Sequence, residues 1–394
     1  WIKRSALSSN DTLFSAKTNT ASIWVTSSDM IRVEQYDGSG GYDFRRDFSG
    51  VLRDVSAWYH LVIVYDSAQG SETDRIKAYL NGTQLAVDHT YNAMSSSFQS
   101  EFNNTETHWL GTLGSQYWDG YLAEVHFIDG TALTPSSFGE TGDYGEWKPK
   151  EYSGSYGTNG FYLDFADSGA LGDDESGNTN DWTANNLAAA DQVLDSPTNN
   201  FATLNTLALG NDSTLSEGNL RIVGGSSNES GAGSTFPLID GGYVEVLVQA
   251  TYSDSYPGFG FMEKDLLGEG NNRYNYGIFI TRTGSDYDIN SGSAITLNGS
   301  PSGTSFTNGD ILQFAHKNGK LFIGKNNTWM NSGNPNSGSG HFATVTSGYE
   351  VELLFRMEQS QAIVNYGQDS SFAGQKTAQG NQDGNEIGDF YYTP

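Results

Sequence analysis

The spacing of the apolar residues is the feature that most constrains the fold. Short runs of β-branched and aromatic residues recur at close intervals between clusters of Gly, Asn, Asp and Ser, and helical periodicity is almost absent. Leu61–Tyr65 is continuously apolar, which is typical of a strand buried on both faces. Val244, Val246 and Val248 alternate with polar residues, which is typical of a strand with one buried face. The pattern predicts an all-β protein of packed antiparallel sheets.

Turn signals lie between the predicted strands. Asn and Gly tolerate the positive φ that two-residue hairpin turns require, so an Asn-Gly or Asp-Gly pair between apolar runs predicts a hairpin. Four such pairs are Asn81–Gly82, Asp119–Gly120, Asn308–Gly309 and Asn318–Gly319.

Composition excludes several classes of function. The 394 residues include 47 acidic and 20 basic side chains, and the formal charge is −27. Such a field repels nucleic acid and anionic membrane surfaces, so neither is expected as a partner. The absence of cysteine excludes disulfides, thiolate catalysis and cysteine-ligated metals. No run approaches the ~20 apolar residues of a membrane-spanning helix, so membrane insertion is not expected.

Changes in composition predict two domains joined by a polar linker. We place a first β-sandwich at 1–148, a connector at 149–200 and a second β-sandwich at 201–394, both of jelly-roll type. The connector begins with a Gly/Ser/Tyr-rich stretch and continues as an Asn- and Asp-rich segment. Because Trp1–Arg4 resembles the middle of a strand, we expect the chain to be part of a longer polypeptide.

Three motifs in the first half occur in a characteristic order. They are an aromatic-led strand, an amphipathic strand closed by Asn-Gly, and a glycine-started strand, at 57–66, 75–82 and 118–127. Together they resemble the concanavalin A-like, laminin G-like (LamG) sandwich over about residues 1–140. The resemblance implies a lectin-type fold.

The second half carries a different set of motifs, which resembles the SPRY domain over about residues 201–375. The resemblance implies a second sandwich that binds partners through its rim loops. The matching segments are Gly242–Val246, Pro257–Phe261, Asn308–Phe314, Gly319–Trp329 and Val364–Gly367. Between the two halves, Asp173–Trp182 resembles the opening of another LamG-type sandwich.

The whole order resembles structural proteins of marine tailed bacteriophages. This resemblance implies a virion-surface or extracellular protein, of tail-fibre or adhesin type, that binds host surface glycans or proteins. It also implies neighbouring virion subunits as partners and a homo-oligomer in the assembly. The alternatives are a capsid or tail decoration without a host ligand, a cellular extracellular adhesin and, least favoured, a polysaccharide depolymerase.

Tyrosines in or near turns rich in Gly, Asp, Ser and Asn are the candidate ligand contacts, because aromatic rings stack on sugars while neighbouring polar groups bind hydroxyls. These are Tyr36, Tyr42, Tyr252, Tyr256, Tyr274 and Tyr287. No cofactor is required by the sequence. Calcium is the one cofactor that the sequence could bind, because the connector carries several side chains with oxygen ligands. Those candidate ligands are Asp173, Asp174, Asn178 and Asp181.

Catalysis is not expected. A retaining glycosidase needs two carboxylates about 5–5.5 Å apart, which a strand supplies at even spacing. Glu124 and Asp129 are an odd five positions apart, and Glu263 and Asp265 have no evident partner strand. The six histidines show no metal-binding spacing, and His60 and His126 fall in predicted strands, where a structural role is expected.

Overall fold

The computed structural model describes residues 1–18, 20–226, 230–250, 257–264, 277–284, 286–289, 294–298 and 304–394, and for 286–289 the backbone alone. Over these residues it is built of antiparallel strands without any α-helix, which confirms the predicted all-β class. None of the described elements is a helix long and apolar enough to cross a membrane. Short 3₁₀ turns occur at Glu72–Asp74, Glu101–Asn103, Pro135–Ser137, Ala189–Asp191 and Met330–Ser332.

The chain divides into two compact units. The first unit comprises 1–192 and 196–200, and the second comprises 193–195 and 201–394. The segment 149–200, expected to be a connector, mostly belongs to the first unit. Its strand Phe161–Leu163 pairs with Val125–Phe127.

The strands of the first unit form one six-stranded sheet, two three-stranded sheets and three two-stranded ribbons. They are β1 (Ile2–Arg4), β2 (Asp11–Ala16), β3 (Ala21–Val25), β4 (Met30–Tyr36), β5 (Tyr42–Val51), β6 (Trp58–Tyr59), β7 (Leu61–Tyr65), β8 (Ile76–Leu80), β9 (Thr83–Gln84), β10 (Val87–Thr90), β11 (His108–Leu110), β12 (Thr112–Leu113), β13 (Gln116–Tyr117), β14 (Gly120–Leu122), β15 (Val125–Phe127), β16 (Gly139–Thr141), β17 (Trp147–Pro149) and β18 (Phe161–Leu163).

The six-stranded sheet has the order β10-β5-β4-β3-β2-β11, and the two three-stranded sheets are β14-β1-β6 and β7-β8-β9. Alternate side chains of the six-stranded sheet, among them Ile31, Val33 and Phe44, enter the apolar core. The same core receives Ile2 from β1 and Ile76 from β8. The sheet therefore has an inner face that is apolar and contacts the core, and an outer face whose side chains point away from the core.

A buried ion cluster joins the ends of β1, β2 and β4. The Arg4 guanidinium donates to Asp11 at 2.9 Å, to Asp29 at 2.8 Å and to the Leu52 carbonyl at 2.8 Å. The side chain of Arg4 is fully buried, and those of Asp11 and Asp29 are 3% and 6% exposed. Buried charges of this kind persist only when each is paired and hydrogen-bonded.

The second unit contains a six-stranded sheet, β19-β22-β32-β24-β25-β26, and a nine-stranded sheet, β20-β21-β33-β23-β28-β29-β31-β27, in which β30 also pairs with β29. Its strands are β19 (Leu204–Leu209), β20 (Ser213–Ser216), β21 (Arg221–Gly224), β22 (Gly231–Ser234), β23 (Tyr243–Ala250), β24 (Gly258–Glu263), β25 (Gly277–Thr281), β26 (Asp286–Ile289), β27 (Ile295–Leu297), β28 (Ile311–Lys317), β29 (Lys320–Lys325), β30 (Thr328–Trp329), β31 (Ala343–Val345), β32 (Val351–Arg356) and β33 (Gln361–Asn365).

The core of the second unit lies between these sheets. Val244, Val246 and Val248 of β23 share it with Leu353 and Phe355 of β32, as their alternation predicts. This unit is therefore a β-sandwich with sheets from distant parts of the chain.

The predicted turns differ in outcome. Asn81–Gly82 and Asn318–Gly319 have positive φ at both residues, as two-residue hairpins require. Asp119–Gly120 was wrongly predicted to be a hairpin turn, because Gly120 lies in β14 opposite Arg4. Glycine is needed there for close approach: a Cβ at this position would lie 2.1 Å from the Lys3 carbonyl oxygen.

Candidate functional site

The face of the six-stranded sheet that is turned away from the core is polar and aromatic. In β4, Ile31 and Val33 point into the core, so Arg32 and Glu34 point to the opposite side. On the neighbouring strands β3 and β5, Trp24 and Asp47 lie opposite Arg32. Ser22 and Arg45 lie opposite Glu34. We name this surface the polar face, and its members are Trp24, Arg32, Glu34, Tyr36, Tyr42, Arg45, Asp47, His89 and Tyr91.

Tyrosines form one part of the polar face. The rings of Tyr36 and Tyr42 are 4.7 Å apart, and those of Tyr42 and Tyr91 are 6.1 Å apart. A register shift between Gln35 and Tyr36 adds a residue to β5 and brings Tyr42 opposite Tyr36. Two of the predicted contact residues, Tyr36 and Tyr42, thus lie together. Tyr91, which is 55% exposed, joins them through a strand pairing that the sequence does not signal.

Arg45 connects the tyrosines to a charged network. Its guanidinium lies 4.2 Å from the ring centroid of Tyr91 and 5.3 Å from that of Tyr42, and it donates to the Tyr42 hydroxyl at 3.0 Å. Stacking on aromatic faces holds the planar guanidinium in one orientation. The arginine is also 3.7 Å from Asp47 and 3.8 Å from Glu34.

A second arginine completes this network. Arg32 binds Asp47 through two hydrogen bonds, of 2.6 and 2.8 Å, and its guanidinium lies 5.3 Å from the Trp24 ring centroid. Burial raises the pKa of Asp47, but the hydrogen bonds and charges of Arg32 and Arg45 outweigh it and leave the pKa below its ordinary value. Asp47 is therefore ionised at neutral pH.

Glu34 is in the opposite situation. It is 1% exposed, and burial raises the pKa of its carboxyl despite the nearby charges of Arg32 and Arg45. Among the described residues, the Oε2 of Glu34 and the Nε of Arg45 have no hydrogen-bond partner, and the 3.8 Å between these two atoms is too long for a direct hydrogen bond. The indole N–H of Trp24 likewise has no hydrogen-bond partner in the part of the chain that the structure describes. Buried polar atoms normally find partners, so these three atoms are available to hydrogen-bond a ligand on this face.

We expect two isosteric substitutions on this face to have opposite effects on stability. Glu34→Gln removes a desolvated charge, so the free energy of unfolding at pH 7 should rise, because a group whose folded pKa is raised destabilises the fold once ionised. Asp47→Asn breaks the paired hydrogen bonds with Arg32 and should cost roughly 1–3 kcal/mol. Urea unfolding of both variants tests this. If Glu34→Gln lost as much stability as Asp47→Asn, the charge of Glu34 would not be destabilising and the prediction would be wrong.

The polar face combines two features that suit a polyhydroxylated ligand. The exposed ring of Tyr91 and the partly exposed rings of Tyr36 and Tyr42 offer apolar surfaces on which a sugar ring can stack. The charged network offers both donors and acceptors, which a hydroxyl group can satisfy simultaneously because it donates and accepts. Within the network the pairs Arg32–Asp47 and Arg45–Glu34 balance in charge, so the face does not select for a strongly charged ligand.

The candidates in the second unit lie mostly outside the described residues. This holds for Tyr252, Tyr256 and Tyr274. Tyr287 lies on β26 opposite Phe279, and its side chain is outside the description. The loop at 331–339 is a polar turn with a bridge between Asn334 and Ser339.

The candidate calcium loop is organised around the carboxylate of Asp174. Its two oxygens accept from the backbone N–H groups of Tyr162, Ser176 and Asn180 and from the Ser176 hydroxyl, at 2.8 to 2.9 Å. Burial raises the pKa of Asp174, but these hydrogen bonds outweigh it and lower the pKa below its usual range. Asp181 in turn accepts from the Asp174 N–H at 3.1 Å.

The other candidate ligands do not complete a cation site. The Asn178 side chain donates its NH₂ group to the carbonyls of Gly157 and Gly160, and Asp173 is exposed. In the part of the chain that the structure describes, no three His, Asp or Glu side chains converge as a metal site would need. Because donors already surround Asp174, these residues fit a structural turn rather than a calcium ion.

Of the four carboxylates considered for a glycosidase, Glu124 and Asp129 have structural partners, and Asp265 lies outside the described residues. Glu124 has a φ of 52°, which ends β14 before β15 begins, so the strand predicted over 118–127 is broken. Its Oε2 accepts from the Tyr162 hydroxyl at 2.6 Å, and its contact with His126 lowers its pKa. A general acid needs the opposite shift. Asp129 accepts from Asn103 and from the Asn159 N–H.

His60 is buried and structural. Its Nδ1 accepts from the Trp147 indole N–H at 2.8 Å, and burial lowers its pKa to about 3. The imidazole is therefore neutral at physiological pH.

Comparisons with known proteins agree with the fold of the first unit. Residues 1–137 match a family model described as the concanavalin A-like lectin/glucanases superfamily, which supports the predicted LamG-like domain over that part of the chain. No curated protein matches the chain.

Solved structures that match include SPRY-type domains. The SPRY domain of human HERC1 is 10% identical, with 41% of this chain and 96% of that chain covered and a TM-score of 0.29. The neuralized NHR1 domain of Drosophila melanogaster is 12% identical, with 41% and 96% covered and a TM-score of 0.28. Stonustoxin is 17% identical, with 42% and 27% covered and a TM-score of 0.28.

Proposed function

We propose that this protein is a non-enzymatic adhesin that binds surface glycans through the polar face of its first unit. The observation that carries the proposal is the cluster of Tyr36, Tyr42 and Tyr91 beside Arg45, above polar atoms without hydrogen-bond partners. Stacking on the rings provides contact area, and the network orients hydroxyl groups.

The setting that best accommodates this role is the surface of a phage virion, in a tail fibre or similar appendage. The resemblance of the domain order to marine phage structural proteins supports this setting. A single face of this kind is expected to bind weakly on its own, and many copies on one particle raise the avidity. The formal charge of −27 keeps such particles dispersed and deters adsorption to polyanions.

A glycan array, with whole host cells alongside, tests the proposal on a multivalent form of the chain. We expect binding to defined neutral glycans without release of reducing sugar, and no effect of a calcium chelator. Absence of binding by a folded sample would instead indicate a purely structural capsid or tail decoration. Release of sugar would indicate a depolymerase.

A further inference from the structure

Lys3 of the first unit is completely buried. It lies at the centre of the β14-β1-β6 sheet, opposite Trp58 on one side and Tyr121 on the other, and its exposure is 0%. Its ammonium nitrogen lies 5.6 Å from the centroid of the Tyr121 ring. Lysine is almost never fully buried, because its charge and flexible chain favour water. Lysines that act as nucleophiles in proteins are those removed from water in this way.

The Nζ of Lys3 points at the side-chain amide of Asn200. The distance from Nζ to Oδ1 is 2.8 Å. The amide is held from its other end, because its Nδ2 donates to the Ser56 carbonyl at 2.7 Å. The carbonyl carbon is one C=O bond, about 1.2 Å, beyond the oxygen. A small rotation of the amide would therefore bring the amine into attacking position, since reacting atoms need to approach to about 3–3.5 Å.

We propose that Lys3 and Asn200 form an intramolecular isopeptide bond. The Lys3 nitrogen attacks the amide carbon of Asn200, a new C–N bond forms, and the bond from that carbon to the original amide nitrogen breaks. The leaving nitrogen departs as ammonia, or as ammonium when the attacking group begins as its conjugate acid. No oxidant, cofactor or further reactant is needed, because amine plus primary amide gives secondary amide plus ammonia. Asn200 is at the exposed end of the pair, so ammonia can leave to solvent.

The bond would change how the first unit bears load. Residues 3 and 200 bracket almost the whole unit, which spans 1–192 and 196–200. A covalent link between them closes the intervening chain into a ring, and a pull applied across the unit would pass through the link rather than through its sheets. Closing so long a loop also restricts the unfolded chain and stabilises the fold.

Intact mass spectrometry of the purified 394-residue chain tests this directly. We expect a mass lower than the sequence mass by one ammonia, and a protease digest containing a branched peptide that joins Lys3 to Asn200. A folded chain at full sequence mass, with separate Lys3 and Asn200 peptides, would overturn the proposal. So would loss of ammonia mapped to any other residue.

Two variants serve as controls. Lys3→Arg retains a positive hydrogen-bond donor but cannot form the amide, and Asn200→Ala removes the electrophile. Both should have full mass and lose the branched peptide. Under denaturing electrophoresis the native chain should migrate faster than either variant, because a closed ring is more compact than a linear chain. The intact mass of the native chain alone shows whether the isopeptide bond has formed. The proposal therefore remains testable even if a variant folds poorly.

Discussion

Substitution of Arg4 by methionine will lower the free energy of unfolding of the first unit by about 3–5 kcal/mol, the cost of leaving a buried charge without its partner. The guanidinium is fully buried and binds both Asp11 and Asp29, at 2.9 and 2.8 Å. Methionine fills similar space but removes the buried charge that pairs with both carboxylates, and Asp29 then keeps only Arg53 and the Ser8 N–H as partners. Thermal and denaturant unfolding would measure the loss.

The matched control is Arg53→Ala. Arg53 also binds Asp29, at 3.0 Å, but its side chain is 64% exposed. Exposed ion pairs contribute at most about 1 kcal/mol, so this variant should remain close to the native stability. Equal effects of the two substitutions would show that the buried cluster is not what stabilises this end of the sheet.

Acid should weaken the same cluster. Burial raises the pKa of Asp29, but hydrogen bonds from the Ser8 N–H, Arg4 and Arg53 outweigh it and place the pKa below the ordinary value. A carboxyl with a lowered folded pKa stabilises the fold above its unfolded pKa, and this contribution disappears as the pH falls through the folded pKa. The stability difference between the native chain and Arg4→Met should therefore shrink at acidic pH.

Glu245→Ala will destabilise the second unit by about 3–5 kcal/mol, because it leaves several buried donors without an acceptor. The Glu245 carboxylate accepts from the N–H groups of Tyr391 and Tyr392, at 2.8 and 2.7 Å, and from the Tyr243 hydroxyl at 3.0 Å. It thereby fastens the final residues of the chain to β23. Hydrogen exchange should show that the amides of Tyr391 and Tyr392 lose protection.

Glu386→Ala provides the comparison for Glu245→Ala, since Glu386 is exposed. Its stability should be within about 0.5 kcal/mol of the native value, as for most surface substitutions. Continued protection of Tyr391 and Tyr392 in Glu245→Ala would contradict the role assigned to this carboxylate.

Local patterns in the sequence were sufficient for the fold class and for the direction of many side chains. Alternation places Val244, Val246 and Val248 in the core, and Asn318–Gly319 forms the predicted turn. The turn prediction for Asp119–Gly120 was wrong because Gly120 allows two strands to approach closely. Such contacts depend on distant parts of the chain, which local patterns do not report.

The candidate site was predicted only in part, for the same reason. Tyr36 and Tyr42 are near in sequence and flank one turn, so composition could identify them. Arg45 lies on β5, three residues after Tyr42, whereas Tyr91 lies just beyond β10, and only the pairing of β10 with β5 brings Tyr91 to Arg45. Asp174 was one of four connector residues whose oxygens could bind calcium. The sequence does not encode locally the N–H groups of Tyr162 and Asn180 that donate to its carboxylate.

Glycan and host-cell binding of Tyr91→Ala, measured beside Tyr144→Ala, decides whether the polar face is the glycan-binding surface. Both residues are exposed tyrosines of the first unit, at 55% and 97%, so neither substitution should affect folding. Tyr91 belongs to the polar face, whereas Tyr144 lies in the turn between β16 and β17. We predict that Tyr91→Ala weakens binding about tenfold, as loss of ~1.4 kcal/mol of stacking implies, while Tyr144→Ala binds like the native chain. Equal binding by all three proteins would exclude the polar face as the glycan-binding surface.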